Sequence, residues 1–179
     1  MDALKALEVR KSVRSYQQRP VEAGKLDTLL KAANNAPKAG EFHITVVLNP
    51  EMLSEINDKA LAIMKSSGNE FLMQRAALPG YQPLYGAPVL LIFSAPDANH
   101  YSKANVSNAA TCAIIAATAM DLGSCYVVTP TMPLNEDAAL ARKVGVPEGL
   151  KPMCGVLVGY QDGEKFATIR TMEDNINYY

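Results

Sequence analysis

Tyr85-Gly86-Ala87-Pro88-Val89-Leu90-Leu91-Ile92-Phe93 ends in five consecutive apolar residues, Val89 to Phe93, set between Pro88 and Pro96. An unbroken apolar run of that length, bounded by prolines, predicts a central strand covered on both faces. Downstream, Ser107 to Leu122 is Ala-rich and apolar almost all round. That pattern predicts a central helix, buried in the core or at a subunit interface, which Gly123 ends. Cys125 to Val128 reads as a short strand. Asn135 is placed to cap a helix over 136–144, with Glu136 and Asp137 suiting its first turn and Gly145 and Pro147 ending it. Met153 to Tyr160 is the last strand, and Asp162-Gly163 is a turn signal. The tail from Phe166 to Tyr179 reads as extended.

Upstream, residues 2–9 predict a helix with Leu4 and Leu7 on one face. Residues 22–35 predict a second, with Leu26, Leu29, Leu30 and Ala33 at helical spacing and Asn34, Asn35 and Pro37 as its stop. Ile44 to Leu48 is a β-branched strand. Pro50 to Met64 predicts a helix whose inner face carries Leu53, Ile56, Ala60 and Ile63. Residues 66–87, with Gly68, Pro79, Gly80, Pro83 and Gly86, read mostly as loop, and long loops in compact domains are often functional. Helices and apolar strands thus interleave around one sheet. The fold class expected is α+β, a three-layer α/β/α arrangement with a central mixed sheet, in one domain over 1–179.

The chain has 179 residues, 49% apolar and 20% charged, with a formal net charge of -1. Nothing global points to nucleic acid or an anionic membrane. Met1 to Arg10 mixes charges with leucines, unlike a secretory leader, and no stretch is long and apolar enough for a membrane span. Cys112, Cys125 and Cys154 are odd in number and sit in apolar segments, as reduced core residues of a cytoplasmic protein would. With only His43 and His100 and no Cys-x-x-Cys pair, no metal site is expected. No Gly-x-Gly-x-x-Gly follows a strand and there is no Walker A sequence. A redox role would need a borrowed organic cofactor.

Four segments could bind one. In an extended Arg10-Lys11-Ser12-Val13-Arg14, alternation points Arg10, Ser12 and Arg14 the same way, two guanidinium forks and a hydroxyl suited to a phosphate monoester. On the first helix the same residues would be a solvated basic face. Ala36-Pro37-Lys38-Ala39-Gly40 allows a flat ring to approach the backbone, with Lys38 adding a donor; it also serves as a plain helix stop. Asp121 to Pro130 runs from a helix end through a short strand to a Thr-Pro loop. Such strand ends border ligand crevices, although a simple helix–strand connection looks the same. Arg170 is either a second phosphate contact or a surface residue of the tail. No nucleophile–base pair stands out, and His43 near Glu41 reads as structural.

The order of these segments resembles the nitroreductase family of flavoproteins along nearly the whole chain. The resemblance is carried by R-K-S-V-R, N-A-P-K-A-G, Y-G-A-P-V-L-L-I-F, A-A-T-A-M-D-L-G-S-C-Y-V and V-G-V-P-E-G-L-K-P-M-C-G-V-L-V-G-Y. It implies a nitroreductase-like fold and non-covalent FMN at a homodimer interface, with the tail from about residue 166 packing on the partner subunit. It implies Arg10, Ser12 and Arg14, with Lys11 nearby, at the phosphate and ribityl end. Pro37, Lys38, Ala39 and Gly40 would lie beside the flavin. Val128 and Thr129 would lie near the isoalloxazine ring, a backbone N–H facing N5, and Arg170 would reach the phosphate.

The chemistry implied is hydride transfer from NADH or NADPH through flavin to a small acceptor such as a nitro compound or quinone. The cofactor carries the reaction, with no catalytic side chain. Two alternatives remain: a non-enzymatic flavin-binding protein for storage or sensing, or an FMN enzyme with another reaction, such as enone reduction. The chain departs from many relatives after the Ala-Pro segment. Where they have Ser and then Asn-x-Gln-Pro-Trp, it reads Lys38 and Glu41-Phe42-His43-Ile44. Where many have a basic pair near the C-terminus, only Arg170 fits.

Overall fold

The predicted central strand forms as β2 (Val89–Ala95), every residue of it buried. The computed structural model describes residues 1–163 and 175–179. The elements upstream of β2 are α1 (Ala3–Val9), α2 (Ala23–Asn34), β1 (His43–Val47), α3 (Pro50–Ser66) and α4 (Glu70–Ala76). Downstream come α5 (Ser102–Ala119), β3 (Gly123–Val127), α6 (Thr131–Glu136), α7 (Ala138–Val144) and β4 (Lys151–Gly159).

The strands lie in the order β1-β2-β4-β3. All three pairings are antiparallel. Among the described residues the sheet is antiparallel rather than mixed as expected, its one parallel component being the isolated bridge of Ser12 to Ser124 beside β3. Alternation along β2 feeds two cores. Val89, Leu91, Phe93 and Ala95 face α2 and α5, packing with Leu29, Ala33, Val106 and Ala109. Leu90 and Ile92 face the other side, with Leu53 and Ile56 of α3, Leu134 of α6 and Leu140 of α7. Two helical layers therefore sandwich the sheet. Each such fully buried Leu, Ile, Val or Phe side chain contributes about 1.5–3 kcal/mol of transfer free energy, which is why the strand carries no polar residue before Ser94.

Several boundaries differ from expectation. Residues 66–87 contain α4, because Asn69 caps it by accepting from the Leu72 N–H at 3.1 Å in the interval between Gly68 and Pro79. The buried positions of α3 are Leu53, Ile56, Ala60 and Met64, so the stripe follows the i+4 row to Met64 rather than ending on Ile63. α5 begins at Ser102, not Ser107, and stops before Asp121, which adopts φ +61°. Gly123 consequently lies inside β3, where a side chain would meet Val13 at 3.0 Å. A short helix, α6, follows the Thr-Pro loop. Asp137 rather than Asn135 caps α7, accepting from the Leu140 N–H at 2.9 Å; Asn135 instead donates to the Pro152 carbonyl.

The chain entering after α1 is stitched to the end of β4. The Gln17 N–H donates to the Tyr160 carbonyl and the Asp162 N–H to the Ser15 carbonyl. Gly159 permits this approach, since a Cβ there would lie 2.7 Å from Pro88 Cδ and 2.9 Å from Tyr16 Cδ1. The three cysteines are free thiols. No helix among the described residues is long and apolar enough to cross a membrane.

Candidate functional site

α1 is capped by Asp2 and ends at Val9. Arg10 turns out of the helix at φ −58° and ψ 137°. Arg10 to Arg14 therefore does not continue the first helix, so the helical basic face is not formed. Ser12 bridges Ser124 and the Val13 N–H donates to the Ser124 carbonyl at 2.9 Å, laying the segment along the outer edge of β3. Val13 packs with Cys125 and Leu157 on one side of the sheet. Ser12, its neighbour, lines a cleft with Ser124, and its hydroxyl also lies within hydrogen-bonding reach of the Cys125 thiol.

A cleft of about 230 Å³ opens there, between Arg10, Lys11 and Ser12, the α5 residues Thr111 and Ile114, and Ser124 and Tyr126 of β3. The three-way convergence expected of Arg10, Ser12 and Arg14 is met by Arg10 and Ser12 only. Arg14 is exposed, its Nη1 directed back to the Ser12 carbonyl at 3.5 Å. Among the described residues neither Arg10 nor Arg14 has a carboxylate partner. Burial pushes the Cys125 thiol up, opposed by Arg14, a Ser12 hydrogen bond, Arg75 and Arg10. The Tyr126 phenol is also raised, by burial first. Both groups stay protonated near neutrality, so neither supplies a base. Among the described residues two buried hydroxyls, Ser94 Oγ and Ser124 Oγ, have no hydrogen-bond partner.

Pro37, Lys38, Ala39 and Gly40 are exposed and lie further along α5, tied to it by asparagines. The Ala39 N–H donates to Asn105 Oδ1 at 2.9 Å, and Asn105 Nδ2 donates to the Ala39 carbonyl at 2.9 Å. Asn108 Nδ2 donates to the Pro37 carbonyl at 3.1 Å. Gly40 sits at φ +104° with Asn99 Nδ2 against it, which leaves no room for a side chain. Lys38 lies over the Phe42 ring at 4.9 Å. Asn108 and Thr111 are one turn apart, about 4.5 Å along the helix axis, so α5 is the common support for both segments. Its asparagines read in the sequence as interruptions of an apolar run. Their signal was the spacing of Asn105 and Asn108, three residues apart and so on one face of an Ala-rich helix. Asn105 is 2% exposed. Asn105→Ala is expected to cost about 1–3 kcal/mol by leaving a peptide group without its partners, read as a lower urea midpoint.

Val128 and Thr129 follow β3. Val128 is exposed, and its carbonyl accepts from the Thr131 N–H and Oγ1 at 2.9 and 2.8 Å. The Thr129 carbonyl accepts from the Met132 N–H at 3.2 Å. Glu41 and His43 are both exposed, at the start of β1. Arg170 lies outside the described residues. Among those residues no cluster of three His, Cys, Asp or Glu could hold a metal ion. A roomier cavity of about 490 Å³ lies elsewhere, between Val21, Leu53 of α3 and Pro88. Its guanidinium, Arg19, is already paired with Glu22 at 3.0 Å, so it lacks the open positive charge of the β3 cleft.

Comparison with known proteins gives four findings. Residues 7–160 match the model of the nitroreductase family. The crystal structure of a nitroreductase with bound FMN from Bacteroides fragilis superposes with a TM-score of 0.89 at 25% identity, covering 100% of this chain and 98% of that one. A nitroreductase with bound FMN from Desulfitobacterium hafniense shares the fold at TM-score 0.91 and 21% identity, over 100% and 99% of the two chains. A protein of Methanothermobacter thermautotrophicus, provisionally named an NADH dehydrogenase/NAD(P)H nitroreductase, is 42% identical over 59 residues. That match spans 31% of this chain and 31% of the relative.

Proposed function

The chain belongs to the nitroreductase family, and on that premise we propose that it is an FMN-dependent oxidoreductase, passing hydride from NADH or NADPH to small acceptors such as nitro compounds or quinones. The observation that carries the reading is the cleft beside β3, where Arg10 has no carboxylate partner among the described residues and Ser12 stands next to it. A phosphate monoester, with a charge between −1 and −2 near neutrality, is the ligand chemistry that such a donor set fits. The FMN held by the Bacteroides fragilis protein supports the same choice.

Arg10, Ser12 and Arg14, with Lys11 beside them, hold the phosphate and ribityl end. Pro37 to Gly40, fixed on α5 by Asn105 and Asn108, lies beside the flavin, and Val128 and Thr129 border the ring. Arg170 is assigned to the phosphate as well. Bound FMN supplies the two-electron chemistry, taking up hydride and passing it on. The residues around the cleft orient the cofactor, and Cys125 and Tyr126, both raised by burial, do not act as bases there. The provisional name of the Methanothermobacter relative supports a nicotinamide donor.

A homodimer completes the site. Leu4 and Leu7 of α1, with Tyr126 and Val128 beside the cleft, are large apolar side chains exposed to solvent. α5 adds the half-buried Ile114 and Ile115. Uncovered apolar surface of this kind marks an interaction face. The purified protein is expected to be yellow and to bind one FMN per subunit. A colourless protein that takes up no FMN on titration contradicts the proposal.

A further inference from the structure

We infer that Ser124 is a further cofactor-positioning residue, its hydroxyl donating to a phosphate oxygen of the bound flavin nucleotide. The inference rests on the FMN reading above and names a contact within it. Ser124 is 2% exposed and among the described residues its Oγ has no partner. Its backbone is fully engaged, with the carbonyl accepting from Val13 and the strand paired to Val158 of β4. Only the hydroxyl is left over.

Alternation along β3 puts Ser124 on the same face as Tyr126, and both line the cleft with Thr111 and Ile114. Burying a hydroxyl without a partner is costly, and such groups in native proteins are few. The reason here is chemical. Lining the cleft with Ser124 are the cations Arg10 and Lys11 and the hydroxyl residues Ser12, Thr111 and Tyr126. Among the described residues none is hydrogen-bonded to the Ser124 hydroxyl, and an anionic oxygen drawn in by the two cations gives it an acceptor. One phosphate oxygen then accepts from Ser124 while its neighbours accept from Arg10 and Ser12. The other orphan, Ser94 Oγ, sits at the bulge between β2 and β4 and has no such company.

Riboflavin carries the same ring and ribityl chain without the phosphate, so it separates this contact from the rest of the site. Apoprotein of the full chain, wild type and Ser124→Ala, is titrated with FMN and with riboflavin by quenching of flavin fluorescence. Its melting temperature is followed with and without FMN. Ser124→Ala is expected to lose roughly tenfold in FMN affinity and to leave riboflavin affinity unchanged. The apo variant should melt no lower than apo wild type, because it removes a buried hydroxyl that had no partner. FMN affinity equal to wild type overturns the assignment, as does an equal loss for both flavins with a lowered apo melting temperature. Wild type that binds neither flavin overturns the FMN reading itself.

Discussion

Arg10→Ala is expected to weaken FMN binding roughly ten- to a hundred-fold, the loss of about 1.5–3 kcal/mol that follows removal of a charged hydrogen-bonding partner. Arg10 lines the cleft, has no carboxylate partner among the described residues, and turns out of α1 directly beside the Ser12–Ser124 bridge. Arg14→Ala is expected to weaken binding too, by less, because Arg14 stands exposed beside Ser12 rather than lining the cleft. Arg10→Lys should recover part of the loss, since an ammonium supplies the charge and not the planar fork. The charged share of the affinity should fall as salt is raised, through screening. Isothermal titration of apoprotein with FMN reads all of these. Unchanged affinity in both alanine variants would place the phosphate elsewhere.

Phe93→Ala is expected to destabilise the fold by about 3–5 kcal/mol, the usual range for emptying an aromatic site in a close-packed core. Phe93 is fully buried and pairs with Ile44 on one side and Cys154 on the other. Its ring packs in the core that α2 and α5 share with the sheet. The cavity would open under the helix that supports both cofactor segments, so weaker FMN binding should accompany the loss of stability. Against a typical total of about 5–15 kcal/mol, the urea midpoint should drop sharply. A loss below about 1 kcal/mol, within the range of a tolerated packing change, would mean that this face of β2 is not the packed centre described here.

The parts of the fold that were legible in the sequence are those whose signal is periodic burial. Val89 to Phe93 was legible as a doubly covered strand from its unbroken apolar run between prolines, and the stripes through Leu29 and Ala33 and through Leu53, Ile56 and Ala60 showed which faces turn inward. Elements set by one local contact were harder to see. α4 depends on the Asn69 cap. α6 holds Pro133 in its first turn, where the missing N–H costs nothing. Asn105, near the start of α5, is satisfied by Ala39 across 66 positions of sequence, a contact no window of neighbours contains.

The candidate site divides the same way. The basic segment and the small-residue turn stood out by composition. The tilt of Arg14 away from the cleft, the hold of Asn105 and Asn108 on the turn, and the isolated Ser124 hydroxyl all come from tertiary contacts. Arg170 lies outside the described residues, so its proposed reach to the phosphate rests on the family resemblance alone.

The most direct measurement is anaerobic stopped-flow mixing of the FMN-loaded protein with NADH and, separately, NADPH, following the visible absorbance of the flavin. The account predicts that at least one nicotinamide bleaches the bound flavin within turnover time and that a nitro compound or quinone restores the colour. Flavin that stays oxidised with both donors would contradict it and leave a flavin-binding protein without reductase activity.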